Sequence, residues 1–286
     1  MPGELDGNAL RVFVAIVECQ GFSAAAERLH KTQSTISQSL QRLEDIVGAP
    51  LIQRTSRSLS LTPAGETFLS YARQILKLHG EAIGALRAPG AQQCVHVGMP
   101  EDYAQHWLTD MLSSFQTRFS AVRPDICCEM SSSLVARLQR GELDLALGVE
   151  HANLPPGEFL CEEPLVWVAA PNWHIEAGAP VPLAVYAQGC AFRANAERAL
   201  AESGRAWHVV YTSQSPRGIA AAIEQGHSVG IAARRLVPEG WQVLGAEEGF
   251  APVEPARLVY WLGERSRHPA IDAWVAMFRE QLGCSA

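Results

Sequence analysis

The 286-residue chain lacks a Cys-x-x-Cys pair, any apolar run near the ~18 residues a membrane span needs, and any excess of positive charge. The missing apolar run excludes a helical membrane protein. The acidic start, Met1-Pro2-Gly3-Glu4-Leu5-Asp6, has no apolar signal core, so a cytoplasmic location is expected. Seven cysteines (Cys19, Cys94, Cys127, Cys128, Cys161, Cys190, Cys284) are an odd count without metal-ligand spacing. Most sit in apolar runs, which favours buried, reduced thiols over a disulfide framework. Sequence signatures of a P-loop, a zinc site or a hydrolase elbow are also missing. Cys190 with His208 or His227 could pair as nucleophile and base. Nothing local to these residues supports it, so no enzyme, metal or cofactor is expected.

The charge balance is −7, with 23 Lys and Arg against 30 Asp and Glu. Its distribution is uneven. Residues 1–90 hold nine basic against eight acidic residues, and the remainder fourteen against twenty-two. The first third can therefore meet a polyanion, but one copy would bind weakly and repetition through an oligomer is expected. Hydrophobic residues make up 48% of the chain and charged residues 19%, enough for two globular domains at ~150 residues each.

Residues 23–44 carry the clearest pattern: a short helix, a turn and a second helix. Ser23 and Thr32 are placed as N-caps, and Ala24, Ala25 and Ala26 are helix formers small enough to let a second helix cross closely. At about 100° per residue, Ile36, Leu40 and Leu43 share one face. Ser34, Ser37, Gln38 and Gln41 share the opposite face, with Arg42 at its edge. Glutamine and serine suit base edges, and arginine suits phosphate. The plain alternative is an amphipathic helix with a solvated face.

The flanking sequence decides between them. Asn8 is placed to cap a first helix with Leu10, Phe13, Val14 and Val17 on one face. Leu51 to Arg54 and Leu59 to Leu61 read as strands of a hairpin that carries Arg54 and Arg57, a basic wing beside the helix pair. Thr62-Pro63 opens a long helix. Phe68, Ala72, Ile75, His79, Ile83 and Leu86 recur along it at steps of three and four, a seam that predicts dimerisation unless the helix packs on its own domain. Pro89-Gly90 closes it.

From Gln92 the pattern becomes strand and helix in alternation. Strands are expected at 95–98, 126–130, 143–148, 165–170, 183–186, 209–212, 228–232 and 258–262. Helices are expected at 107–119, 133–140, 193–202, 216–225 and 270–282. Nearly continuous apolar strands predict an open parallel sheet covered on both faces.

These pieces together resemble a LysR-type transcriptional regulator along essentially the whole chain. The likeness is carried by Phe22-Ser23-Ala24-Ala25-Ala26-Glu27-Arg28-Leu29, Thr32-Gln33-Ser34, Ile36-Ser37, Leu43-Glu44 and Leu61-Thr62-Pro63-Ala64-Gly65. Gly141-Glu142-Leu143-Asp144-Leu145-Ala146-Leu147 adds to it. Gly98 to Tyr103, Gly189 to Arg193 and Val210 to Ser213 resemble the LrhA/HexA-like subgroup more narrowly.

The resemblance implies an N-terminal all-α winged helix-turn-helix domain (1–62) and a dimerising linker helix (63–90). It implies a two-lobed α/β effector domain (91–286) like periplasmic solute-binding proteins, with lobe I at 91–164 and 265–286 and lobe II at 165–264. Gln33, Ser34, Ser37 and Gln38 would face bases. Thr32, Arg42, Arg54 and Arg57 would hold phosphates or the wing's groove, with Ser23, Lys31 and Gln41 beside them. The implied partners are double-stranded promoter DNA, further copies of the chain as a dimer or dimer of dimers, a small-molecule effector and RNA polymerase.

Ligands of open α/β sheets sit beyond the carboxyl ends of strands. Here those ends offer Met99, Glu101 and Asp102, then Ser131, Ser132 and Ser133, then Cys190 and Arg193, then Thr212 and Ser213. Family members often place a serine or threonine just after the first strand. Glu101 and Asp102 stand near that place, which disfavours a simple carboxylate ligand unless Arg193 compensates. A thiol sensor on the same scaffold is an alternative. A solute-binding transport protein is a remoter one, opposed by the N-terminal module.

Overall fold

The computed structural model describes residues 5–54, 59–87, 93–176, 178–263 and 268–283. It divides into two compact units, one of residues 1–93 with 139–142 and one of residues 94–138 with 143–286.

The first unit begins with α1 (Gly7–Glu18), α2 (Phe22–Arg28) and α3 (Gln33–Val47). A two-stranded antiparallel hairpin, β1 (Ile52–Arg54) and β2 (Leu59–Leu61), leads into the long helix α4 (Pro63–Arg87). Asp6, not Asn8, caps α1: its carboxylate accepts from the Asn8 N–H at 3.1 Å. Ser23 lies inside the first turn of α2, whose N-cap is Gly21, so the predicted cap there is two residues out. Thr32 does cap α3, its hydroxyl accepting from the Thr35 N–H at 3.2 Å.

Ile36, Leu40 and Leu43 are all buried, and Leu10, Phe13 and Ile16 of α1 share their core with Ala25 and Ala26. Glu44 does not belong to the outer surface charge. Its carboxylate accepts from the Leu51 and Ile52 N–H groups at 2.7 and 3.2 Å, which ties α3 to the hairpin. Gly65 makes the other close approach. A Cβ there would collide with the Leu51 carbonyl oxygen, so only glycine lets α4 run past the start of the hairpin.

The predicted seam on α4 is only partly free. Ala72 is buried in the first unit's core, Phe68 and Ile75 pack against it, and the Phe68 ring lies 5.6 Å from Phe13. Self-packing therefore accounts for the first half of the seam. His79 is exposed and Ile83 half-buried, while the Leu86 side chain lies outside the described residues. Among the described side chains, the large apolar groups that α4 leaves exposed are Tyr71 and Leu78, seven residues apart.

The second unit opens with β3 (Gln93–Met99), α5 (Glu101–Arg118), β4 (Val122–Cys128), α6 (Ser131–Gln139) and β5 (Leu145–Val149). Next come β6 (Glu158–Glu163), β7 (Leu165–Ala169), β8 (Val181–Tyr186), α7 (Ala191–Glu202) and β9 (Trp207–Ser213). It ends with α8 (Pro216–Glu224), β10 (Gly230–Ala233), β11 (Gln242–Leu244), β12 (Ala256–Leu262) and α9 (Pro269–Leu282). Helix α5 starts six residues before the expected position. Glu101 and Asp102 occupy its first turn, where a negative charge offsets the helix dipole.

The sheets are mixed, not parallel throughout. Lobe I has five strands in the order β4-β3-β5-β12-β6, in which β3 and β5 run parallel and β12 runs antiparallel to both neighbours. Because β12 belongs to this sheet, lobe I reclaims the chain at Ala256, earlier than residue 265. β4 starts at Val122, four residues before the expected strand, and so includes Pro124. That strand is at the sheet edge, where a missing N–H is tolerated.

Lobe II holds the antiparallel order β10-β7-β11 and the parallel pair β8-β9, bridged at Leu183 and Val229. β5 and β7 are wholly buried, as their apolar runs predict. β9 is not, since Val209, Val210 and Tyr211 are exposed on an edge strand. At the passage from lobe I to lobe II, the buried Glu163 pairs with Arg235 at 2.7 Å. Arg235 also donates to the Leu282 carbonyl at the end of α9 at 3.1 Å.

Candidate nucleic-acid interface and ligand cleft

The outer face of α3 follows from its inner one. Burial of Ile36, Leu40 and Leu43 turns Gln33, Ser34, Gln38, Gln41 and Arg42 outward, all exposed, with Ser37 half-buried at the margin. No acid stands in the first turn, so the positive end of the helix dipole is uncovered. The Thr32 hydroxyl is shared with Ser34 and Thr35 at 2.9 and 2.8 Å, which orders the tip of the helix. Lys31 donates to the Asn8 side chain at 2.6 Å, and Gln41 donates to Asp45 at 3.0 Å, so neither is wholly uncommitted. Ser23 is exposed on α2. Arg57 lies outside the described residues, as does the side chain of Arg54.

The second unit contains a cleft of about 390 Å³ between its two lobes. Lobe I lines it with Glu101, Asp102 and Tyr103 at the start of α5, with Cys128 to Ser131 and Ser133 around the start of α6, and with Val149 and His151. Lobe II contributes Tyr186, Cys190 and Phe192 at the start of α7, and Gln214 to Pro216 at the start of α8. Of the residues predicted from strand ends, Glu101, Asp102, Ser131, Ser133 and Cys190 meet here. Met99 is fully buried and does not line the cleft. Ser132 is exposed outside it. Thr212 is also outside, and the Ser213 hydroxyl accepts from the Ser215 N–H at 3.1 Å, which leaves the wall to Gln214 and Ser215.

Arg193 does not compensate the carboxylates. It donates to Glu197 at 2.8 Å and to the Tyr186 carbonyl at 3.2 Å, and it lines a neighbouring cavity of about 350 Å³. Ser131 has a structural duty besides, accepting from the Val149 N–H at 2.9 Å. Sequence reasoning missed Tyr186, His151, Gln214 and Ser215. Gly189-Cys190 after Tyr186, and Ser215-Pro216 before α8, were the local signals that a strand-to-helix turn stood nearby.

Burial sets the chemistry of the cleft. It raises the Asp102 carboxyl to about 6, against which the Tyr103 N–H works in the other direction. It lifts the Tyr186 hydroxyl well above its usual range, helped by the charges of Asp102 and Glu101. It raises the Cys190 thiol and lowers His151, whose Nε2 is buried with no hydrogen-bond partner.

Outside the cleft, Cys94, His96 and Asp125 bring possible metal-ligand atoms within 4.8 Å of one another. The Arg123 guanidinium donates to the Cys94 sulfur at 3.6 Å, so a positive group already occupies that corner. None of the described cysteines forms a disulfide.

Comparison with known proteins gives the class. Residues 8–66 match the bacterial regulatory helix-turn-helix protein of the lysR family, and residues 89–283 match the LysR substrate binding domain. The regulator DgdR of Burkholderia cepacia is 32% identical over 87% of this chain and 85% of its own length. PecT of Dickeya dadantii is 30% identical over 92% and 83%. Among solved structures, ArgP from Mycobacterium tuberculosis has a TM-score of 0.69 at 22% identity, covering 97% of each chain. Full-length CbnR in complex with its target DNA has a TM-score of 0.61 at 19% identity, covering 96% of this chain and 99% of CbnR. The chain belongs to the LysR family of transcriptional regulators. It is a DNA-binding regulator and not an enzyme, and no described helix is long and apolar enough to cross a membrane.

Proposed function

We propose that α3 is the recognition helix of a cytoplasmic promoter-binding regulator, with Gln33, Ser34, Ser37 and Gln38 reading base edges in the major groove. The observation that carries this is the polar, exposed and nearly uncharged face of α3 standing opposite a fully buried apolar one. Thr32, Lys31, Arg42 and Ser23 contact the sugar-phosphate backbone, with Arg54 and Arg57 on the wing and Gln41 at the rim. One such face carries few cations, so affinity comes from several copies held together. A homodimer through α4 supplies two, and a dimer of dimers supplies four. A small molecule in the cleft shifts the lobe arrangement and through it the spacing of the DNA-binding heads, with RNA polymerase as a further contact at the promoter. The thiol-sensor alternative has less support, because burial raises the thiols of Cys127, Cys128 and Cys190 away from the reactive thiolate.

A gel shift with the protein's own upstream promoter tests the helix assignment. The double variant Ser37→Ala, Gln38→Ala should lose discrimination between operator and random duplex by about tenfold or more. Arg42→Ala should weaken both duplexes alike and flatten the salt dependence by about one phosphate's worth. If neither variant changes the shift, α3 does not read DNA.

A further inference from the structure

We propose that the ligand of the cleft carries a protonated amine, received by Glu101 and Asp102 on the lobe I wall with Tyr186 facing them from lobe II. This rests on the reading of the cleft as the effector site and adds the chemistry of the effector. Three carboxylates line the cleft, Glu101, Asp102 and Glu129, and no lysine or arginine among the described residues does. Glu129 is neutralised from outside by Arg137 at 2.7 Å. Glu101 accepts only from neutral groups, Gln105 at 3.2 Å and Ser215 across the cleft at 3.4 Å. Asp102 accepts from the Tyr103 N–H at 3.0 Å and has no ion pair. Among the described residues neither Glu101 nor Asp102 has an ion pair, and the one basic group acting on Asp102 is His106, one helical turn on.

A second feature points to an absent ligand independently of the acids. The Tyr103 hydroxyl, on a fully buried residue of the cleft wall, has no hydrogen-bond partner. His151 presents a buried Nε2 with no partner, and burial keeps its ring neutral. Leaving a buried polar group without a partner costs more than an ordinary hydrogen bond gains, so such groups are usually completed by a ligand or water. An ammonium group offers three donors, which the two carboxylates and the Tyr186 oxygen can accept. The apolar remainder of the ligand would lie against Phe192, Met130 and Val149. A carboxylate without an amine would meet the same two acids as like charges in a partly desolvated space, where repulsion is strong.

The test uses the full-length protein and a panel of probes. The panel holds the twenty amino acids, the amines left when their carboxylate is removed, and the acids left when their amine is removed. Binding is read by thermal shift and by protection of Cys190 from a thiol reagent. At least one amine-bearing probe should raise the melting temperature and slow the Cys190 reaction, and none of the amine-free acids should. The amino-acid and simple-amine arms show whether a carboxylate is also recognised. Glu101→Gln and, separately, Asp102→Asn should each weaken the best amine at least tenfold, with a cooperative melt showing that each variant is folded. Binding by the amine-free acids alone, or by no amine-bearing probe, overturns the proposal. Operator binding by the wild-type protein, measured on the same preparation, reports on the regulator reading by itself.

Discussion

Helices α3 and α5 begin with opposite chemistry, one at the tip of an exposed polar face and the other at a cleft between lobes. The first turn of α3 holds no acid, and its tip presents Gln33 and Ser34 with the dipole's positive end uncovered. The first turn of α5 holds Glu101 and Asp102, which cancel that end and leave net negative charge in the cleft. The same backbone geometry therefore favours an anion at one helix start and disfavours it at the other. The choice rests on two side chains, which is why the overall charge of −7 does not bar the chain from DNA.

The largest expected effect comes from removing the second copy of the α3 tip. Tyr71 and Leu78 are 51% and 54% exposed on α4, whereas Ile75 packs into its own unit. Changing Tyr71 and Leu78 to glutamate should give a monomer by light scattering without unfolding the first unit. Operator affinity should fall about 100-fold or more as the effective concentration of the second head is lost. An unchanged mass would show that α4 does not join the copies. Ile75→Glu is the less clean test, because Ile75 packs against the first unit's own core and a charge there would destabilise the domain whatever the assembly.

Ser34→Glu makes the α3 tip resemble the start of α5. An acid in the first turn should hold or raise helix stability by about 0.3–1 kcal/mol. It should also lower DNA affinity by about tenfold to 100-fold at low salt, since it stands where phosphates approach. A stability gain with intact DNA binding would mean that the tip does not face the duplex.

How much of each region was legible follows from how each is built. The α3 face was readable because one helix supplies both sides: Ile36, Leu40 and Leu43 fix the inside, and the outside follows by angle. What the helix angle does not show there is the role of Glu44, whose carboxylate turns inward to the Leu51 and Ile52 amides. The cleft draws on four strand-to-helix turns far apart in the chain. The strand-end rule found Glu101, Asp102, Ser131, Ser133 and Cys190, but it could not place side chains within a turn. Thr212 and Ser213 therefore yielded to Gln214 and Ser215, and Tyr186, the last residue of β8, went unnoticed. Arg193 was misjudged because its nearest partner, Glu197, lies one helical turn away and claims it first. The parallel-sheet expectation failed for a related reason. β12 arrives from the far end of the chain and runs antiparallel between β5 and β6, and its apolar pattern carries no sign of direction.

The remaining effect, which isolates the electrostatics of α5 without any DNA or second copy, is the pH dependence of stability. Burial raises the Asp102 carboxyl to about 6 in the folded protein, above the usual carboxylate range. The folded state then holds this proton more tightly than the unfolded chain does, so the group's contribution is full at low pH and is lost as pH rises through about 6. Asp102→Asn removes that loss. The variant and the wild type should match near pH ~4, and the variant should be the more stable by about 1–3 kcal/mol near pH ~7, measured by denaturant unfolding. The wild type should recover the difference when an amine that fills the cleft is added, because a nearby positive charge favours the ionised carboxylate. A wild type whose stability stays level between pH ~4 and ~7 relative to the variant would mean that Asp102 already has a counter-charge, and the contrast between the two helix ends would then be weaker than the arrangement of α5 implies.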